Sequence, residues 1–541
     1  MEHQMSLSYV PADRSVEIRE IAIGSVLREA AAEVPDAPAL VNGSADPAER
    51  RRWTYAQLLA AAEGVAGQLL ARLAPGERLA IWSVNVAQWE LVQFGAALAG
   101  IPVVAINPAY TAAELEYVLG QSGSVAIVLG PEYRGTDPAA ELAKVRSRLP
   151  ALRETFTLAA GSVLFAGATG AALPEVDASS LAMMQYTSGT TGRPKGAMLS
   201  HRSLCNNSRL FNRRLGLDGV GSWVNAMPMF HIGGSSFGAI GSMWSRAAHI
   251  ITTFDPALML ELIETERPAF LPSVPTMLMA MAEHPDFLRR DHSSIQVIMA
   301  GSTTIPAELI RRVEKEWGAN FVPCYGQTEC SGVIVQGMPG DTAEDKSDWA
   351  GRPLEQVEVR FVAPGTGAVV PCGEVGEFQV RGYTTMDGYF AMPEETASTL
   401  DAEGWLHTGD LGVMDPRGYC QVTGRLKDMI IRGGENIYPR EIEDRLIEHP
   451  AISEIAVVGL RDERMGEEVA AVVRLAPDAE ADPLAWREFA REALAGPKVP
   501  RRWFVVDAMP TTPSGKIQKF KLPDVIASGT GVREITPPKA L

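Results

Sequence analysis

Between residues 50 and 130, short apolar runs alternate with longer stretches in which apolar residues return at helical spacing. Thr54 offers an N-cap hydroxyl to a helix from Tyr55 to about Leu73, and Thr111 does the same for Ala112 to Leu119. Ala87 to Ala99 reads as a further helix. Arg78 to Val84, Ile101 to Ile106 and Val125 to Leu129 read as strands between them. Strands separated by helices of this length predict βαβ units in a parallel sheet covered on both faces. A similar unit recurs from Pro306 to Tyr325. After Gly367 the texture changes to short strands and turns, such as Glu377 to Arg381 and Tyr419 to Thr423. The residues beyond 425 read β-β-α-β-β-α, with Pro439 suited to the first turn of a helix from Arg440 to Glu448. The predicted fold is therefore α/β. A large N-terminal domain, residues 1–424, combines βαβ-built parallel sheets with a small β-barrel-like part. A small α+β C-terminal domain, residues 425–541, follows a break at Gly424-Arg425-Leu426-Lys427.

Composition narrows the function. The 541 residues exceed one comfortable hydrophobic core, which agrees with two domains. A net charge of -17 argues against a nucleic-acid binder, which needs a basic face to neutralise phosphates. The longest apolar stretch, Leu91 to Ile106, is interrupted by Gln93, Gly95, Gly100 and Pro102. It falls short of the roughly 20 residues of a spanning helix, so no transmembrane segment is expected. The first residues are polar and acidic, unlike a signal peptide. Five cysteines form no CxxC pair and eight histidines show no metal-ligand spacing. A reducing cytoplasm is the plain expectation.

Candidate chemistry begins at Tyr186-Thr-Ser-Gly-Thr-Thr-Gly-Arg-Pro-Lys-Gly196, which follows an apolar run and precedes a capped helix start at Ser200. Gly189, Gly192 and Gly196 let the backbone turn so that its N–H groups face an anion. Thr187, Ser188, Thr190 and Thr191 add hydroxyl donors, and Lys195 adds a point charge. A flexible surface loop is the bland alternative; the strand–loop–helix setting and the lysine favour polyphosphate. The spacing is not that of a P-loop NTPase, because no Ser or Thr follows Lys195.

Four more motifs follow in order: Tyr325-Gly326-Gln327-Thr328-Glu329, Gly404-Trp-Leu-His-Thr-Gly-Asp410, Gly424-Arg-Leu-Lys427 and Pro513-Ser-Gly-Lys516-Ile. With these five motifs the sequence resembles an adenylate-forming enzyme of the acyl-CoA synthetase type. That superfamily also holds beetle luciferases and peptide-synthetase adenylation domains.

The resemblance implies activation of a carboxylic acid by ATP as an acyl-adenylate, then capture by coenzyme A. By that resemblance the loop from Thr187 to Lys195 holds the β- and γ-phosphates. Glu329 ligates Mg2+, whose liking for oxygen ligands suits one carboxylate. Thr328 donates to the α-phosphate, Tyr325 lies against the adenine face, and Gly326 and Gln327 belong to the same ATP site. Asp410 accepts from the ribose hydroxyls, and Arg425 adds a planar donor fork beside it. Lys516 offsets the charge that builds up as carboxylate and α-phosphate approach. In the family the small domain is mobile and swings between the two half-reactions. Lys427 takes the hinge position, and Gly433, Gly434 and Glu435 would then line a pantetheine tunnel.

By the same resemblance the acyl pocket maps onto the segments His231 to Phe237, Leu271 to Met277, Gly301 to Thr303 and Cys330 to Ile334, with His231, Gly233, Gly234, Gly301, Ser302, Thr303 and Cys330 as its candidate residues. For His231 a gating or lining role stands beside that of a buried structural histidine. These Gly-, Ser- and Met-rich segments suit an apolar tail. An amino-acid substrate is disfavoured, since its ammonium would need a buried carboxylate. A medium- or long-chain fatty acid is expected. The alternative is an aryl-acid CoA ligase, or an acyl-adenylate ligase that loads a carrier protein. The partners are the acid, ATP and CoA, and a homodimer is left open.

Overall fold

The computed structural model describes residues 5–535 except 168, 188–192, 220, 302–306, 434 and 512–516. Among the described residues four sheets form. The first has six strands in the order Glu154–Thr157, Ala126–Leu129, Leu79–Trp82, Val103–Ile106, Leu181–Thr187 and Lys195–Ser200. All neighbours are parallel except the last pair. The four residues of Leu79–Trp82 and of Val103–Ile106 are all buried, as a parallel sheet covered on both faces requires. The expected βαβ pattern is thus present, with helices at Tyr55–Leu70, Ala87–Ala99 and Ala112–Ser122. Thr54 with Gln57, and Thr111 with Glu114, close capping boxes at two of these helix starts. Each cap satisfies otherwise orphaned N–H groups and contributes about 1 kcal/mol.

A nine-stranded sheet runs Arg352–Pro353, Gly332–Gln336, Asn320–Gln327, Val297–Gly301, Phe270–Ser273, Ser222–Asn225, Ala248–Ile251, Pro38–Asn42 and Arg52–Thr54. Its centre is parallel and its edges antiparallel. The region expected to be barrel-like is a five-stranded antiparallel sheet of Tyr9–Val10, Val357–Val362, Gly376–Gly382, Leu406–Met414 and Cys420–Arg425.

The C-terminal domain forms a six-stranded sheet around Gly466–Leu475. The β-β-α-β-β-α order holds and continues with a strand at Arg502–Val506, a helix at Leu522–Ser528 and a strand at Val532–Glu534. Its core is its own: Ile430, Ile442, Leu446, Val457, Val473, Trp486 and Trp503 cluster together. The preceding strand continues through Arg425, and a 3₁₀ turn at Leu426–Asp428 separates it from the strand Ile430–Arg432. All five cysteines are unpaired thiols. Among the described residues no helix is long and apolar enough to cross a membrane.

Candidate functional site

The glycine–threonine loop does not lead straight into a helix. It joins two antiparallel strands, Leu181–Thr187 and Lys195–Ser200, with Thr187 paired to Lys195 across its base. The helix His201–Leu215 starts only after the return strand, capped by the Ser200 hydroxyl as the sequence suggested. The setting is therefore strand–loop–strand–helix rather than strand–loop–helix. The short run from Lys195 to Ser200 gave no separate strand signal. Ser188, Gly189, Thr190, Thr191 and Gly192 lie outside the described residues, as do Ser302, Thr303, Gly434 and Lys516.

The strand Asn320–Gln327 ends in Tyr325, Gly326 and Gln327, and a 3₁₀ turn, Thr328–Cys330, carries Glu329. Gly326 is required there, because a Cβ would lie 1.7 Å from the Gly332 carbonyl oxygen of the neighbouring strand. The Thr187 hydroxyl donates to Glu329 Oε1 at 2.9 Å, and so does the Tyr389 hydroxyl, also at 2.9 Å. The six-stranded and nine-stranded sheets therefore meet at one carboxylate. A carboxylate oriented by two hydroxyls is the kind of oxygen donor that fits a hard cation such as Mg2+.

The five-stranded sheet supplies the other half. Asp410, 5% exposed, accepts at Oδ2 from the Tyr325 hydroxyl (2.6 Å) and from Gln327 Nε2 (2.7 Å). Oδ1 meets Arg425 Nε at 3.2 Å, and the two residues face each other in the strand register. The Arg425 side chain is half exposed, so the pair opens outward. The Tyr325 ring packs on Phe378, with centroids 5.0 Å apart. Burial, together with the Asp410 carboxylate, holds the Tyr325 phenol well above its usual range, so it remains a donor. Burial first, and the neighbouring Arg425 guanidinium second, lower the pKa of Lys427.

The expected acyl-pocket residues are split. Gly233 and Gly234 open a π-helix, Gly233–Ile240, a geometry often found at functional sites. The His231 carbonyl accepts from the Ser235 amide (3.0 Å) and hydroxyl (2.9 Å), and its ring lies 4.6 Å from that of Phe230. A Cβ on Gly234 would lie 2.3 Å from the Pro228 carbonyl oxygen, and one on Gly301 would lie 2.6 Å from that of Cys324. Both glycines therefore permit close backbone packing. Cys330 is fully buried and burial raises its thiol pKa far above the usual value. At the proposed tunnel, Gly433 has φ +59° and its N–H donates to the Met465 carbonyl at 2.8 Å.

Tyr389 was not singled out from the sequence. It sits in irregular chain, and no periodicity or spacing marks it.

The chain matches the family model described as AMP-binding enzyme over residues 27–390, and that described as AMP-binding enzyme C-terminal domain over residues 441–516. It is 38% identical to the protein YngI of Bacillus subtilis (strain 168), covering 94% of this chain and 97% of the relative. It is 36% identical to the human mitochondrial medium-chain acyl-CoA ligase ACSF2, covering 95% and 89%. Among solved structures it resembles the anthranilate CoA ligase AuaEII in complex with anthranoyl-AMP. The TM-score is 0.83 at 25% identity, covering 95% of this chain and 99% of that one.

Proposed function

The chain belongs to the AMP-binding enzymes, and on that footing we propose that it is an acid–CoA ligase that forms a thioester through an acyl-adenylate. AMP and pyrophosphate leave. One observation carries this: three separate sheets bring Thr187, Glu329, Tyr325, Gln327, Asp410 and Arg425 into two hydrogen-bonded clusters joined by the short segment 325–329. A hydroxyl, a metal-binding carboxylate and a sugar-binding carboxylate so spaced suit a nucleoside triphosphate.

The roles follow from the atoms left available. Oδ2 of Asp410 is taken by Tyr325 and Gln327, so Oδ1 beside Arg425 is the oxygen that receives the ribose hydroxyls. Tyr325, fixed at both hydroxyl and ring, offers a rigid edge for adenine. Thr187 and Lys195 stand at the two ends of the phosphate loop and bind the β- and γ-phosphates. Glu329 holds Mg2+, which when bound supplies charge neutralisation along the triphosphate. Thr328 donates to the α-phosphate, toward which the acid's carboxylate is guided for attack; the new O–P bond forms as the bond to pyrophosphate breaks. Lys516 is assigned the charge between these two groups on the sequence motif. Positioning and electrostatics do most of the work in such a transfer.

The acid is a medium- or long-chain fatty acid. Pocket segments without fixed charge apart from His231 support this, as does the human relative's name. An aryl acid is the second reading, favoured by the structural likeness to an anthranilate ligase. We place the enzyme in the cytoplasm, where its five free thiols would persist. Residues 1–424 and 425–541 are taken as two bodies that turn about Lys427, a division supported by the separate C-terminal core.

The test is pyrophosphate release with ATP and Mg2+ across acids graded in length and aromaticity, with CoA or a carrier protein as acceptor. Release that peaks with aliphatic acids and is completed by CoA is expected. No release with any acid would overturn the assignment.

A further inference from the structure

We propose that Tyr389 is a positioning residue that sets Glu329 for a divalent cation and Lys195 for the nucleotide phosphates. The proposal rests on the adenylate-forming reading above. The chain around Tyr389 is stapled on two sides. The Met386 N–H donates to the Glu329 carbonyl at 2.8 Å. On the other side the Asp387 N–H donates to the Met198 carbonyl (3.0 Å), Met198 N–H to the Gly388 carbonyl (2.9 Å) and Phe390 N–H to the Gly196 carbonyl (2.9 Å). Segment 386–390 thus ties the turn that carries Glu329 to the strand that leaves the phosphate loop. Gly388 makes the geometry feasible: its φ is +126°, and a Cβ would lie 2.7 Å from Thr396 Cγ2.

From that frame Tyr389 reaches two charged groups of opposite sign. Its hydroxyl donates to Glu329 Oε1 at 2.9 Å, and the Lys195 ammonium lies 5.0 Å from its ring centroid, within cation–π range. Tyr389 is only 7% exposed, while Lys195 and Glu329 are half-buried. The Thr187 hydroxyl shares Oε1 at 2.9 Å. Two donors on one oxygen fix the rotation of the carboxylate and leave Oε2 outside the pair. A tyrosine kept for its ring alone needs no hydroxyl on a carboxylate. Hydrogen bonds to a ligating carboxylate set metal affinity, and losing one costs about 10- to 100-fold.

The experiment uses the full chain, a non-hydrolysable ATP analogue and Mn2+ in place of Mg2+. Metal binding is read by the electron paramagnetic resonance of free Mn2+, metal-free nucleotide binding by calorimetry, and folding by thermal denaturation. Tyr389→Phe is expected to weaken Mn2+ binding about tenfold. Metal-free nucleotide affinity and the unfolding midpoint should stay near those of the wild type, and ATP–pyrophosphate exchange should recover as Mg2+ is raised. Thr187→Val removes the other donor and should act in the same direction. Tyr389→Leu also loses the ring and should weaken metal-free nucleotide binding several-fold. Unchanged Mn2+ affinity in Tyr389→Phe overturns the proposal. If Glu329→Gln weakens Mn2+ binding while Tyr389→Phe does not, only the role of Tyr389 falls. If the wild type binds no Mn2+–nucleotide, or Glu329→Gln leaves Mn2+ affinity intact, the role of Glu329 falls with it.

Discussion

His201 heads the helix that follows the phosphate hairpin, 2% exposed, and its Nδ1 accepts from the Ile23 N–H at 3.4 Å. Burial pulls its imidazole down from 6.5 to about 4. The unfolded chain therefore binds this proton first. The stabilisation is complete above pH 6.5 and is lost as the pH falls toward 4, on the order of 3 kcal/mol in all. His201→Asn should flatten the acid limb of a stability–pH curve by up to one proton; an identical slope would count against a neutral buried imidazole. A second single-residue expectation concerns Lys516. Replaced by Ala, it should nearly abolish ATP–pyrophosphate exchange, while CoA still captures a supplied acyl-adenylate. Retained exchange would remove Lys516 from the adenylation step.

Elements are locked together by a polar contact inside an apolar interface. Glu90 on the helix Ala87–Ala99 is 1% exposed, and its Oε2 lies 2.5 Å from Nδ1 of the fully buried His249 on the strand Ala248–Ile251. Asn225 Nδ2 lies 3.0 Å from the other ring nitrogen, and Asn225 Oδ1 accepts from the Met227 N–H at 2.8 Å. The network thus joins the helix Ala87–Ala99 to the nine-stranded sheet and anchors the chain that leads to His231. Glu90→Leu should destabilise by about 3 kcal/mol, because it strands a buried imidazole, and Glu90→Leu with His249→Leu should lose less than the single variant. Chemical denaturation of both would decide; additive losses would refute the coupling. Nothing in the sequence disclosed this pair, because Glu90 looks like any helical glutamate and its partner is 159 positions away. Legibility followed locality. The N-caps at Thr54 and Thr111, the alternation from 50 to 130 and the motif at 325–329 are short-range patterns, and each was readable. The return strand Lys195–Ser200 was not, since antiparallel pairing across a loop leaves no periodic trace in six residues. Tyr389 escaped for the same reason as Glu90: its meaning lies in what it touches.

For the molecule as a whole the question is how one site serves two half-reactions. The 3₁₀ turn Leu426–Asp428 is the short connection between a strand of the five-stranded sheet and the first strand of the C-terminal sheet. A turn is where a φ/ψ change can rotate a packed body without disturbing its core. Lys427→Pro, which fixes φ, should slow thioester formation more than adenylation in separate assays of the two steps. Equal loss in both would argue against a pivot here. The pairing of Asp410 with Arg425 then takes on a second meaning. Arg425 is the last residue of its strand, just ahead of that turn, and its guanidinium rests on the oxygen assigned to the sugar. If the turn is the pivot, filling the ribose site and rotating the C-terminal domain would pull on one and the same latch.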